Sequence, residues 1–174
     1  MWSHWVCPGC TPLDPFNNYK NKSPMNILYD ERVDGVLPRV DKSALISQLR
    51  DALPDLEILH SQEDLRPYEC DGLSAYRVMP LLVVLPRHLD EVRGVLRLCH
   101  EMHVPVVARG AGTGLSGGAL PLEKGVLLVM ARFNNILHID PAARTARVQP
   151  GMRNLAISQA AVPFGLYYAP DPSS

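Results

Sequence analysis

The sequence predicts an α+β domain in two lobes, a small βαβ layer followed by a β-hairpin and a helix. Three observations predict it. Two short apolar runs, Leu82–Leu85 and Pro105–Ala108, bracket the stretch His88–His103, whose Leu89, Val92, Val95, Leu96, Cys99 and Met102 fall on one helical stripe. Farther on, Ile136–Asp140 and Thr145–Gln149 are joined by Pro141-Ala-Ala-Arg144, the punctuation of a hairpin. Between the two groups lies Arg109-Gly-Ala-Gly-Thr-Gly-Leu-Ser-Gly-Gly118, a loop too rich in glycine for either helix or strand.

Each element has its own local reason. Residues 1–24 are rich in Pro and Asn without a lasting period, which predicts an extension foreign to the domain, disordered or spurious. Asp41–Leu53 carries apolar residues at 45, 46, 49, 52 and 53 behind a capping aspartate, an amphipathic helix. Leu56–His60 reads as a short strand, and Leu82–Leu85 as a buried strand closed by Pro86. The helix His88–His103 then leads into the strand Pro105–Ala108, completing a βαβ unit, with Val126–Ala131 as a further strand. After the hairpin, Asn154–Ala161 reads as a helix stopped near Pro163. No internal repeat is present.

Composition narrows the function classes. The chain has 174 residues, enough for one domain with a real core, and a formal net charge of −1. That balance offers no electrostatic footprint for nucleic acid or an anionic membrane. The apolar runs are far too short to span a bilayer. No basic segment followed by an apolar one opens the chain, so a cytoplasmic location is expected. Cys7-Pro-Gly-Cys10 has the spacing of a redox pair or half a zinc site, but no second pair follows at a suitable distance. All four cysteines are therefore read as reduced thiols, and no metal site is expected.

The glycine loop carries the chemistry. Without Cβ atoms, successive N–H groups can converge on an anion, usually a phosphate. The hydroxyls of Thr113 and Ser116 add donors, and Arg109 adds positive charge at the strand end. Gly112-x-Gly114-x-x-Gly117 matches the dinucleotide fingerprint literally, but that fingerprint needs a helix starting in the loop. Only Ala119-Leu-Pro-Leu-Glu-Lys-Gly125 precedes the next apolar run, too little for a crossover helix. No Lys-Ser/Thr follows the glycines, which excludes a P-loop. What remains is a phosphate loop running from strand to strand with no helix, beside the plainer alternative of a glycine-rich surface loop without a ligand.

Pro105-Val-Val-Ala-Arg-Gly-Ala-Gly-Thr-Gly-Leu-Ser-Gly-Gly-Ala119 resembles the diphosphate loop of FAD domains of the vanillyl-alcohol oxidase and p-cresol methylhydroxylase (PCMH) type. The segments 27–32, 67–77, 120–132 and Tyr168-Ala-Pro-Asp-Pro-Ser-Ser174 narrow the resemblance to the D-subunit family of bacterial glycolate oxidases, from about Met25 to the last residue. The resemblance implies that residues 25–174 are the N-terminal part of a two-lobed PCMH-type FAD-binding domain. FAD would lie extended between lobes, held through backbone N–H groups of Arg109, Gly110, Ala111, Gly112, Thr113, Gly114, Leu115, Ser116 and Gly117. Asp171, Pro172, Ser173 and Ser174 match the segment beside the flavin end, although Pro170-Asp-Pro172 also reads as a simple turn. The implied activity is oxidation of glycolate or a related small 2-hydroxy acid to the 2-oxo acid. Companion flavin-domain and iron–sulfur subunits are implied partners, with peripheral attachment to the inner membrane through them.

No catalytic residue is expected within this chain. His88, His100 and His103 belong to the helix between strands, His138 alternates within a hairpin strand, and His60 has no visible partner in the sequence. Tyr68, Asp71, Tyr76 and Arg77 form a recognisable family segment without an assignable chemical step. Arg77 suits either a ligand carboxylate or a structural ion pair. The implied continuation holds the rest of the FAD domain and the substrate domain, so the chain alone is expected to bind FAD weakly or not at all and to show no turnover. A non-catalytic nucleotide-binding or interaction module is the alternative reading.

Overall fold

A computed structural model describes residues 40–169. The extension 1–24, the segment 27–32, Cys7, Cys10 and Asp171–Ser174 lie outside the described residues. The described elements run α1 (Lys42–Ala52), β1 (Glu57–Leu59), α2 (Gln62–Leu65), β2 (Leu82–Leu85), α3 (Leu89–Glu101), β3 (Val106–Arg109), β4 (Val126–Val129), β5 (Ile136–Asp140), β6 (Thr145–Val148) and α4 (Asn154–Ala161). Short 3-10 turns follow α2 at Arg66–Tyr68 and α4 at Val162–Phe164. The mixture is the expected α+β fold.

A four-stranded sheet of order β1-β2-β4-β3 forms its centre, and β5 and β6 pair separately. β4 lies parallel to both β2 and β3, while β1 is antiparallel to β2. The βαβ unit is therefore present, but its two strands are not neighbours: β4 inserts between them. The connection between the adjacent parallel strands β3 and β4 is the glycine-rich stretch 110–125, with no helix in it. A crossover of this length reaches back along a strand without helical compaction, because extended chain advances more than 3 Å per residue.

The central strands are buried on both faces, which explains their unbroken apolar runs. Leu82, Val84, Val126 and Leu128 face Leu45 and Leu49 of α1 and Val92, Val95 and Cys99 of α3. Val83, Leu127 and Val129 face the other way, toward Leu65 and Tyr68. The stripe of α3 is narrower than its sequence suggests. Leu89 and Leu96 are 53% and 46% exposed, while Val92, Val95 and Cys99 are buried and Met102 packs against the core from its edge, because a helix on one sheet face buries a stripe rather than a half-cylinder.

Caps set the helix boundaries. Asp41 accepts from the amides of Ser43 and Ala44 at the start of α1. His88 Nδ1 accepts from Glu91 N, and the buried Glu91 carboxylate accepts from Arg87 N, so His88 is a cap rather than a member of α3. His103 lies beyond the helix with φ of 55°. The hairpin β5–β6 turns through Arg144, whose φ is 54°, with a bulge between Ile136 and His138. Pro163 occupies the first turn of the 3-10 segment after α4, where its missing N–H is harmless.

Candidate functional site

The parallel orientation of β2, β3 and β4 puts their C-terminal ends along one sheet edge, where ligands of open α/β layers bind. The glycine loop leaves that edge from Arg109, at the end of the outermost strand. Gly112 and Gly117 have φ of 76° and 73°, values that side chains with a Cβ adopt only at a cost. These two residues reverse the chain. Between them Thr113, Gly114, Leu115 and Ser116 are exposed. The one hydrogen bond that closes the loop runs from Leu120 N to Gly117 O, at 3.1 Å.

Unused donors are the loop's chemical signature. Among the described residues, no amide from Ala111 to Gly118 donates to a protein acceptor. A Cβ built at Gly114 or Gly118 meets nothing within 4 Å, so bare backbone faces open space there. Unbonded N–H groups on an exposed loop, with bare backbone at Gly114 and Gly118, suit an anion such as the diphosphate of a dinucleotide. The positive ends of these dipoles need no helix behind them, and none is present.

Three supports hold the loop from behind. Arg109 is 5% exposed and donates from Nε and Nη2 to Ala119 O, at 3.3 and 2.8 Å, and from Nη2 to Tyr68 O, at 3.2 Å. Its aliphatic stem fills the inside of the loop, since a Cβ on Gly112 would stand 3.2 Å from Arg109 Cδ. The second support is the turn Asp71–Leu73, where the Asp71 carboxylate accepts from Leu73 N at 2.9 Å. A Cβ at Gly72 would lie 2.5 Å from Thr113 O and 2.8 Å from Gly114 O, so the two backbones touch. The third is the turn after β6: Gly151 N donates to Phe133 O at 2.8 Å, and Pro150 O approaches Gly110.

Electrostatics follow from burial. Desolvation pulls the Arg109 guanidinium below its usual pKa, and the negative charge of Asp71 opposes that shift. Asp71 is itself 7% exposed, and its Oδ2 has no hydrogen-bond partner among the described residues. The expectation that Arg109 presents its charge to a ligand therefore meets a different arrangement: the guanidinium is directed at main-chain carbonyls inside the protein.

Other sequence expectations sort as follows. Arg77 forms an ion pair with Glu69 at 2.5 Å, the structural option of the two. His138 is exposed on the hairpin. His60 does have partners, contrary to its reading as isolated: Lys42 Nζ donates to its carbonyl at 2.9 Å and Arg50 Nη2 lies 3.3 Å from its Nε2. The turn α2 was missed, though Ser61-x-x-Asp64 is a capping-box pattern, and Ser61 Oγ does accept from Asp64 N at 3.2 Å. Gly72 as a loop support had only the Asp-Gly turn signal.

Comparison with known proteins adds independent findings. The FAD binding domain family model matches residues 80–174. The glycolate oxidase subunit GlcD of Escherichia coli strain K12 is 67% identical over 150 residues, covering 86% of this chain and 30% of that protein. A D-2-hydroxyglutarate dehydrogenase of Xanthomonas citri is 36% identical over 126 residues, covering 72% of this chain and 27% of its own length. Among solved structures, p-cresol methylhydroxylase with substrate bound superposes with a TM-score of 0.59 at 24% identity, over 71% of this chain and 25% of that one. The chain thus spans 30% of the length of that GlcD and 27% of that of the D-2-hydroxyglutarate dehydrogenase, and the PCMH-type fold is the one expected.

Proposed function

Because the chain belongs to the FAD binding domain family, we infer that it is the diphosphate-holding portion of an FAD-dependent oxidoreductase that converts glycolate or a related 2-hydroxy acid to the 2-oxo acid. The observation that carries this reading is the run of amides from Ala111 to Gly118 with no acceptor among the described residues, on a strand-to-strand loop turned by positive-φ glycines. The names of the relatives support the substrate class: a glycolate oxidase subunit and a D-2-hydroxyglutarate dehydrogenase.

Each residue has a task in this reading. The amides of residues 110–117 would hold the diphosphate, with the Thr113 and Ser116 hydroxyls as further donors. Arg109 takes part through the loop it supports. Asp171, Pro172, Ser173 and Ser174 are assigned to flavin-end contacts on their resemblance to the family segment. When bound, FAD supplies the two-electron acceptor for the substrate carbon, and the protein supplies binding and orientation. No side chain here is assigned a proton transfer. The chain spans 30% of the matched glycolate oxidase subunit; in this reading residues 25–174 are one part of the FAD-binding domain, and further FAD-domain and substrate-domain sequence, with companion flavin-domain and iron–sulfur subunits, completes the enzyme. No described helix is long and apolar enough to cross a membrane. In this reading any attachment to the inner membrane runs through companion subunits.

The test is an NMR titration of the isotopically labelled full chain with FAD and, separately, with FMN, which lacks the diphosphate bridge. Shifts at the Gly112, Gly114, Gly117 and Gly118 amides with FAD and not with FMN are expected, at weak affinity. Perturbations that avoid the loop would overturn the reading. Stoichiometric flavin with glycolate-dependent bleaching of its visible absorbance would overturn the claim that the chain is inactive alone.

A further inference from the structure

We propose that Arg109 is a positioning residue and not a diphosphate ligand: its guanidinium braces the glycine loop from inside, and Asp71 is the counter-ion that keeps this charge buried. The proposal rests on the function inferred above and specifies how that site is built. A ligand-facing arginine would leave its guanidinium at the surface with free donors. Here it is 5% exposed, and its Nε and Nη2 are spent on two carbonyls. Those carbonyls, Tyr68 O and Ala119 O, belong to the segment before the Asp71 turn and to the far end of the loop. One planar group therefore ties the loop's exit to its entry and both to the neighbouring segment. Only a rigid fork with several donors does this; an ammonium offers one point of charge.

Burying a cation requires a compensating anion. Asp71 is 7% exposed, three residues beyond the Tyr68 carbonyl that Arg109 binds; its Oδ1 is committed to Leu73 N and its Oδ2 has no hydrogen-bond partner among the described residues, so it acts on Arg109 through its charge and not through a hydrogen bond. The same turn places Gly72 against the carbonyls of Thr113 and Gly114. Charge compensation and backbone contact thus come from one short turn. With the guanidinium turned to carbonyls inside the protein, the ligand's negative charge is met by amide dipoles rather than by a salt bridge to Arg109.

This assignment reverses the sign expected of one substitution. If Arg109 served the ligand as a plain positive charge, Arg109→Lys would keep most of the affinity, and Asp71→Asn would tighten binding by removing a nearby anion. If the pair is a brace, both changes loosen the loop and weaken binding. Asparagine retains the oxygen that Leu73 N uses, so the turn itself survives in Asp71→Asn.

The experiment measures backbone order in the full chain by heteronuclear ¹H–¹⁵N NOE at residues 111–118, without ligand, together with the dissociation constant for FAD from amide shifts. Wild-type loop values near those of the flanking strands are expected, falling in both Arg109→Lys and Asp71→Asn, with the FAD constant rising about tenfold. Wild-type order and affinity in Arg109→Lys would overturn the proposal, as would tighter binding in Asp71→Asn or a wild-type loop as mobile as a free tail. Should Arg109→Lys not fold, the sign of the Asp71→Asn change decides. Should the isolated chain bind FAD too weakly to measure, as its span of 30% of the matched relative allows, the ligand-free order of the loop in the two variants decides the brace, while shifts at residues away from the loop on adding FAD would count against the function inferred above.

Discussion

Gly72→Ala should move the glycine loop without touching it in sequence. The added methyl carbon would sit 2.5 Å from Thr113 O. Carbon and carbonyl oxygen normally keep about 3.3 Å apart, so one backbone must retreat by roughly 0.8 Å. Neither is a flexible side-chain end, because both sides of the contact are main chain. Overpacking of this kind costs about 1–3 kcal/mol. The lost flexibility of the unfolded chain returns about 0.4–1 kcal/mol. A net loss of about 1–2 kcal/mol lowers Tm by roughly 3–8 °C for a domain of this size. The same displacement exceeds the distance range over which an amide hydrogen bond keeps its strength, about 0.5 Å, so FAD affinity should fall as well. Gly114→Ala is the control, since its Cβ meets nothing within 4 Å. It should leave Tm unchanged or slightly raised, yet weaken FAD binding, because the methyl stands on the surface the diphosphate approaches. Thermal melts and amide shift titrations of the two variants check both limbs. An unchanged Tm and unchanged loop shifts in Gly72→Ala would refute the claim that the Asp71–Leu73 turn supports the loop.

Two further predictions rest on buried groups and one on an exposed apolar face. Leu49 is fully buried between α1 and the sheet, so Leu49→Ala should cost about 2–5 kcal/mol in a denaturant melt, and a loss under about 1 kcal/mol would mean that α1 is not part of the core. Burial pushes the Cys99 thiol from 9.0 up to about 11. Above pH 9 the unfolded chain releases this proton while the folded chain keeps it, so stability is complete below pH 9 and falls by about 1.4 kcal/mol per pH unit until about pH 11. Cys99→Val should flatten that alkaline limb, and an identical slope in wild type and variant would assign the loss elsewhere. Finally, Leu155, Val162, Phe164 and Tyr167 are at least half exposed around α4. An apolar face of this kind predicts concentration-dependent self-association of the isolated chain by light scattering, reduced in Val162→Ser. A monodisperse monomer at every concentration would favour a self-sufficient module instead.

Local signals in the sequence were enough for nearly every regular element, since each depends on neighbours a few residues away. Asp41 announces α1, the alternation at 136–149 announces the hairpin, and the continuous apolar runs of β2 and β4 announce strands buried on both faces. The glycine spacing, with no room for a helix before Val126, likewise separated this loop from the dinucleotide fingerprint. Only the tertiary structure decided that β4 lies between β2 and β3, that Gly72 touches Thr113, and that Arg109 turns inward to Tyr68 O and Ala119 O. The physical reason is range. Periodicity and capping act within a turn or two of chain, whereas strand order and the direction of a buried guanidinium depend on which distant carbonyls and carboxylates the folded chain brings within hydrogen-bonding reach.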